Sequence, residues 1–191
     1  RLDAVDWVIV ALGKLGGSEL SVHSDLDLVV LYRGDSSDSD TFVAFQRFVR
    51  DMERCLEEPT EDGVAFHVDT RLRPEGRKGA LAIPVGMFQQ YLASRAEIWE
   101  RLAWTRSRVL AGATPLAREV EDSVRGFVYG PWDAAIPAYM TDIRGRMERE
   151  LGDPSGGQLD FKVGRGGLAD IDFLLRMIQI REGHTRPDSR F

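Results

Sequence analysis

Asp25 and Asp27 stand one residue apart in SDLDLVVLY, shortly after the run GKLGG that begins at Gly13. If this stretch is a strand, side-chain alternation puts both carboxylates on one face with Cα atoms roughly 7 Å apart. Leu26 and Leu28 then face the other way, into a core. Two carboxylates side by side repel each other unless a cation lies between them. Oxygen donors of this kind suit Mg²⁺, which takes one or two carboxylates together with phosphate oxygens. Gly16, Gly17 and Ser18 supply the complementary half, a backbone without bulk that can approach a phosphate and turn N–H groups toward it. No Gly-Lys-Ser/Thr follows at P-loop spacing, and a strand rather than a helix comes next, which sets aside the dinucleotide fingerprint.

Asp69, in VAFHVDTRL, is the candidate third carboxylate. Three acids can hold two Mg²⁺ ions about 4 Å apart, the separation of two-metal phosphoryl chemistry. One ion clamps a nucleotide's phosphates; the other sits between an attacking hydroxyl and the α-phosphorus, where Asp69 can help remove the proton. Arg71, Arg73 and Lys78 follow at once and can neutralise a triphosphate. Each residue also has a plainer reading. An aspartate at a strand end serves as a cap or surface residue, Asp69 can pair with Arg71 or Arg73, and Lys14 can be a solvated loop lysine. His23 and His67 lack metal-type spacing and read as structural. The candidate catalytic and metal-binding set is therefore Asp25, Asp27 and Asp69. The candidate nucleotide-binding set is Gly16, Gly17, Ser18, Lys14, Arg71 and Arg73.

The elements that must position these residues can be read from hydrophobic pattern. WVIVAL (7–12) is a β-branched run stopped by Gly13, a buried strand. LDLVVLY (26–32) is a second strand, closed by the turn-like RGDSSDSD. Asp40 caps a helix with Phe42, Phe45, Phe48, Val49, Met52, Cys55 and Leu56 on one stripe, so Cys55 reads as a core residue. VAFHVDTRL (64–72) alternates Val64, Phe66 and Val68 against Ala65, His67 and Asp69, a third strand with one face buried. Beyond Pro74 the pattern is helical, over 85–93, 97–110, 115–127, 133–151 and 168–181. Within the last two, Ile136, Met140, Ile143, Met147 and Leu151 form one stripe, and Leu168, Ile171, Leu174, Leu175 and Ile178 another. The expected organisation is α+β, with a mixed α/β domain over 1–114 and a truncated helical bundle over 115–191.

The chain has 191 residues, 43% hydrophobic and 29% charged, with net charge −6. This is an ordinary globular composition with enough apolar content for a core. The acidic balance disfavours a nucleic-acid partner, although the basic stretch 71–108 suits a small phosphate-bearing ligand. No apolar run approaches the roughly 20 residues of a membrane span, and the acidic start RLDAVD is unlike a signal peptide. The absent initiator Met and the ending HTRPDSRF suggest a piece of a longer protein. A single cysteine and no Cys/His pair at zinc spacing lead to the expectation of a reducing, cytoplasmic setting.

The order strand, Gly-Gly, strand, Asp-x-Asp resembles the DNA polymerase β-like nucleotidyltransferase superfamily. More narrowly, GKLGGSELSVHSDLDLVVLY is similar to the catalytic motif of the bacterial glutamine synthetase adenylyltransferase/adenylyl-removing enzymes. HVDTRLRPEGRKGAL resembles their third-carboxylate segment. IWERLAWTRSRVLAG resembles their Trp-Glu helix with paired arginines (Trp99, Glu100, Arg106 and Arg108). LDFKVGRGGLADIDFLL resembles a later motif carrying Lys162, Gly166, Gly167, Asp170 and Asp172. The likeness runs in order from about Trp7 to Ile180.

The resemblance implies a polymerase β-like domain, a small mixed sheet with helices, followed by a helical bundle. It implies a multifunctional parent with two related halves acting in nitrogen metabolism. One half transfers AMP from ATP to a tyrosine hydroxyl of glutamine synthetase; the other removes AMP by phosphorolysis, giving ADP. Glutamine and the PII signal protein set the balance. By the same resemblance, Asp25, Asp27 and Asp69 hold two Mg²⁺ ions (Mn²⁺ being the alternative), and Gly16, Gly17 and Ser18 form the phosphate loop. IRGRMEREL and the acid at Asp170 are closer to the adenylylating half, FVYGPWDAA to the removing half. A catalytically silent module that senses nucleotide or a partner, and a transferase acting on another acceptor, are the other expectations.

Overall fold

The structure is a computed structural model that describes residues 4–22, 24–34, 37–151 and 160–183. His23, two residues of the RGDSSDSD turn and the HTRPDSRF ending lie outside the described residues. The architecture is α+β, with five strands and seven α-helices among the described residues. It divides into two compact units, Arg1–Ala96 with Arg106–Phe127, and Glu97–Thr105 with Val128–Phe191. The expected division was a single cut after residue 114. Instead the units interleave along the chain, the helix at 98–104 going with the second unit and the strand at 108–112 with the first.

The first unit is built on a hairpin. β1 (Trp7–Ala11) runs antiparallel to β2 (Leu26–Tyr32), in register from Trp7↔Tyr32 to Ala11↔Leu28. The outer edge of β2 is shared by two short parallel strands. β3 (Val68–Asp69) pairs its start, Leu26↔Val68 and Asp27↔Asp69, and β4 (Ala82–Pro84) pairs its end, from Val30↔Ala82 to Tyr32↔Pro84. Between β3 and β4 the chain loops away through a 3₁₀ turn at Gly76–Lys78. β5 (Arg108–Gly112) closes the free edge of β1. Strand edges leave N–H and C=O groups in need of partners, and Val8 and Val10 of β1 are 0% and 2% exposed.

That need explains the largest departure from the expected elements. A single helix over 97–110 was expected, but only α4 (Ile98–Trp104) is helical. Thr105 closes it by donating its hydroxyl to the Leu102 carbonyl at 2.6 Å, and the following residues leave to serve β1.

One face of the sheet is covered by α2 (Ser39–Glu57), whose Phe45 and Val49 pack with Val30, Tyr32 and Ala82. Tyr32 and Phe45 stack with ring centroids 4.2 Å apart. Gln46 stitches the helix to β4, accepting from Leu81 N at 2.6 Å and donating to the Ala82 carbonyl at 2.8 Å. The helix is capped by Asp38, whose carboxylate accepts from Thr41 N, so the cap lies two residues earlier than the expected Asp40. Cys55 is exposed and not a core residue, whereas its stripe neighbours Met52 and Leu56 pack against Ala11, Leu26 and Leu28. The expected strand over 64–72 shrinks to β3, and Val64 and Phe66 are exposed. α1 (Gly13–Gly16), α3 (Val85–Ser94) and α5 (Thr114–Val128) complete this unit.

The second unit joins α4 to α6 (Ile136–Leu151) and α7 (Leu168–Glu182). α4 opens with a capping box, Glu97 N donating to Glu100 Oε2 at 2.7 Å. Leu102, Trp104, Ile136, Met140 and Ile180 are buried. Arg144, also buried, meets Asp170 at 2.6 Å and donates to the Val163 and Gly164 carbonyls. Arg176 reaches Asp172 at 2.7 Å and the Leu102 carbonyl at 2.9 Å. Contrary to a bundle face, Leu168, Ile171, Leu174, Leu175 and Ile178 of α7 are all exposed. No helix among the described residues is long and apolar enough to cross a membrane.

Candidate active site

Asp27 lies near the start of β2, and Asp25 directly precedes the strand. Because β3 pairs in parallel with Asp27 opposite Asp69, the two carboxylates project from neighbouring strands on the same side of the sheet, with Cα atoms about 5 Å apart. The structure thus brings together the three acids read from the sequence. Their charges act on one another. The Asp27 carboxyl is raised from 3.8 to about 6, first by burial, then by Asp69 and Asp25, with Arg71 opposing. Asp69 is held below the usual carboxylate range, chiefly by hydrogen bonds from Arg71.

That pair dominates the local geometry. Asp69 accepts from Arg71 N at 2.8 Å, from Nε at 2.9 and 2.7 Å, and from Nη2. Among the described residues no three carboxylate, imidazole or thiol groups already form a metal cage, and the Asp69 oxygens are held by Arg71. The donor set still fits a hard divalent cation. It is all carboxylate, and Asp69 and Asp25 destabilise the ionised form of Asp27, the condition that a cation between them relieves.

Arg73, expected to meet a nucleotide, is placed differently. It is 7% exposed and donates to Thr70 O at 2.5 Å, Thr70 Oγ1 at 2.8 Å, Gly79 O at 3.3 Å and Arg77 O at 3.4 Å. Thr70 Oγ1 in turn donates to Glu53 on α2 at 3.3 Å. Arg73 therefore folds the turn between β3 and β4 around itself. Replacing it with Met leaves several carbonyls without donors and is expected to destabilise the chain by about 2–3 kcal/mol with or without nucleotide. A urea titration of the variant checks this; a loss of nucleotide affinity at unchanged stability contradicts it.

The glycine segment also differs from the expected open loop. It forms the short helix α1, and its amides are engaged within the segment. Gly16 N donates to Leu12 O, Gly17 N to Gly13 O, Ser18 N to Leu15 O and Glu19 N to Lys14 O. As folded here, the Gly16, Gly17 and Ser18 amides are not free to cradle a phosphate. The glycines are required for close packing. A Cβ on Gly16 would lie 1.9 Å from the Arg106 carbonyl oxygen, and one on Gly13 2.1 Å from Asp27 Oδ2. Gly13, at φ +55°, was read from the sequence only as the end of the first strand, yet it stands against the Asp27 carboxylate. Its place between a strand and a later aspartate was the available signal.

Lys14 extends its ammonium to Ser21 Oγ at 3.2 Å and Ser24 Oγ at 3.4 Å. It thereby supports the approach to Asp25. On the β5 side, Arg106 pairs with Glu19 at 3.0 Å, and Arg108 donates to the Leu15 carbonyl at 2.9 Å. Both brace the glycine segment. Ser21 and Ser24, joined at 2.8 Å, were not singled out from the sequence.

A family model described as glutamate-ammonia ligase adenylyltransferase matches residues 2–123, which include every one of these positions. The chain belongs to that family. It is 34% identical, over 98% of its length, to the bifunctional glutamine synthetase adenylyltransferase/adenylyl-removing enzyme of Rhodopseudomonas palustris strain HaA2, covering 20% of that protein. The enzyme of the same name from Hahella chejuensis is 33% identical over 92% of the chain and 19% of the relative. That from Mesorhizobium japonicum is 35% identical over 90% of the chain and 18% of the relative. The chain thus spans about a fifth of the length of the curated adenylyltransferase relatives it matches.

Proposed function

We propose that the chain carries a metal-dependent nucleotidyl-transfer centre that moves AMP from ATP to a tyrosine hydroxyl of glutamine synthetase. The observation that carries this is the pairing of Asp27 with Asp69 across β2 and β3, with Asp25 adjacent, in a member of the adenylyltransferase family. Asp25, Asp27 and Asp69 would hold Mg²⁺ or Mn²⁺. Such an ion, when bound, supplies charge neutralisation at the triphosphate and acidifies the attacking hydroxyl.

The chain's own residues do the rest. Gly13 leaves room for the Asp27 carboxylate, and Lys14 fixes the turn that delivers Asp25. Arg73 holds the turn that carries Arg71, the exposed guanidinium suited to phosphate oxygens. In the transfer, the tyrosine oxygen bonds to the α-phosphorus, the bond to the bridging oxygen breaks, and pyrophosphate leaves. The phenolic proton passes to Asp69 once its contact with Arg71 is open. The adenylylating direction is the reading taken because IRGRMEREL and the acid at Asp170 resemble that half; the two segments meet in the Arg144–Asp170 pair at 2.6 Å.

The test is transfer of label from α-labelled ATP to purified glutamine synthetase, with Mg²⁺ and with EDTA. Label on a synthetase tyrosine, lost with EDTA, supports the reading. Release of ADP from adenylylated synthetase and phosphate assigns the removing direction instead. Nucleotide binding without turnover in either direction marks a silent sensing module.

A further inference from the structure

We infer that Arg71 is the built-in counter-ion of the carboxylate cluster, and that a divalent cation displaces it from Asp69 and so frees its guanidinium for the nucleotide's phosphates. The inference rests on the nucleotidyl-transfer reading and adds an exchange step to it. Three carboxylates in one small region need a positive partner. Arg71 provides it through its backbone N at 2.8 Å, its Nε at 2.9 and 2.7 Å and its Nη2.

The two partners are unequal. The Asp69 side chain is 13% exposed and sits on a strand whose register is set by β2, whereas that of Arg71 is 58% exposed. Arg71 is therefore the member able to swing away. Its backbone stays anchored, because Arg73 is buried and binds carbonyls at Thr70, Arg77 and Gly79.

A cation bound to Asp69 needs the oxygens that Arg71 now holds, so one occupant excludes the other. An unpaired guanidinium beside a metal-bound triphosphate finds new acceptors in phosphate oxygens, which match its planar fork. Arg71 thus acts twice, first as a stand-in cation for the carboxylates, then as a phosphate clamp set free when a divalent cation binds them.

The experiment uses the chain and Mn²⁺ alone, with free Mn²⁺ followed by electron paramagnetic resonance. Arg71→Ala is expected to bind Mn²⁺ about tenfold more tightly than wild type, since no charge-assisted pair must be broken. Arg71→Lys keeps the charge but loses the fork, and is expected to tighten binding by less, about threefold. In parallel, the Arg71 Nε–H resonance, identified by its loss in Arg71→Lys, should move on Mg²⁺ addition to the position of a solvent-exposed arginine. Arg71→Lys and this resonance carry the test if Arg71→Ala does not fold. Equal Mn²⁺ affinity in the three proteins, or a resonance that stays in place at saturating Mg²⁺, overturns the exchange and leaves the metal site standing. Failure of all three to bind Mn²⁺ overturns both.

Discussion

Asp27→Asn is expected to lower AMP transfer by at least about a thousandfold while making the metal-free chain more stable. The two effects share a cause. Burial and the neighbouring Asp69 and Asp25 raise the Asp27 carboxyl to about 6. A folded-state value above the unfolded one means that folding favours the protonated form. This contribution is fully present below about pH 4 and is lost as pH rises through about 6. At neutral pH the metal-free fold therefore carries an ionised group that it would rather hold neutral. For a fully enclosed group a rise of this size corresponds to about 3 kcal/mol, and the half-exposed setting of Asp27 reduces it to about 1–2 kcal/mol. Asn removes the charge and nearly keeps the shape. Its melting temperature at pH 7.5 without metal should rise by about 2–6 °C, and the gain should vanish at pH 4. A variant that is both inactive and less stable at neutral pH would show that Asp27 has a structural partner instead.

The second large effect lies at Gly16. A methyl group there would stand 1.9 Å from the Arg106 carbonyl oxygen and 2.6 Å from that of Ala11, and both obstacles are backbone. Neither can turn aside as a side chain would. Gly16→Ala must push the glycine segment off β1 or displace the residues entering β5, at about 3 kcal/mol or more. Gly17→Ala is the internal comparison. Its nearest contacts fall at 3.2–3.5 Å, so a shift of a few tenths of an ångström suffices, at about 1 kcal/mol. Denaturant midpoints of the two variants decide whether these glycines act through packing. A Gly16→Ala protein of wild-type stability that no longer binds nucleotide would restore the phosphate-loop reading.

The legible parts of the molecule were those with long, regular patterns. β1, β2 and α2 follow from β-branched runs and a clean helical stripe, and the place of Asp27 on β2 follows with them. The parts that escaped are short or depend on contacts distant in sequence. β3 and β4 have two and three residues, too few for alternation to show, and they exist because the edge of β2 needs partners. β5 looked helical because Arg108–Leu110 continues the spacing of α4, and only the open edge of β1 makes it a strand. Arg71 and Arg73, alike in sequence, have opposite placements, one exposed on Asp69 and one buried among carbonyls. Nothing local distinguishes them, since the difference comes from the path of the turn between β3 and β4. The glycines announced a close approach correctly but not its object, which is the backbone of Ala11 and Arg106 and the carboxylate of Asp27.

The most direct test of the central claim, that Asp25, Asp27 and Asp69 together hold a metal-bound nucleotide, is calorimetric titration of MgATP into the chain. It is run with and without EDTA, beside an Asp25→Asn/Asp27→Asn variant. The account predicts binding to the wild type that disappears with EDTA and in the variant, while the variant remains folded. Binding of equal strength in all three titrations, or none to folded wild type, would contradict it.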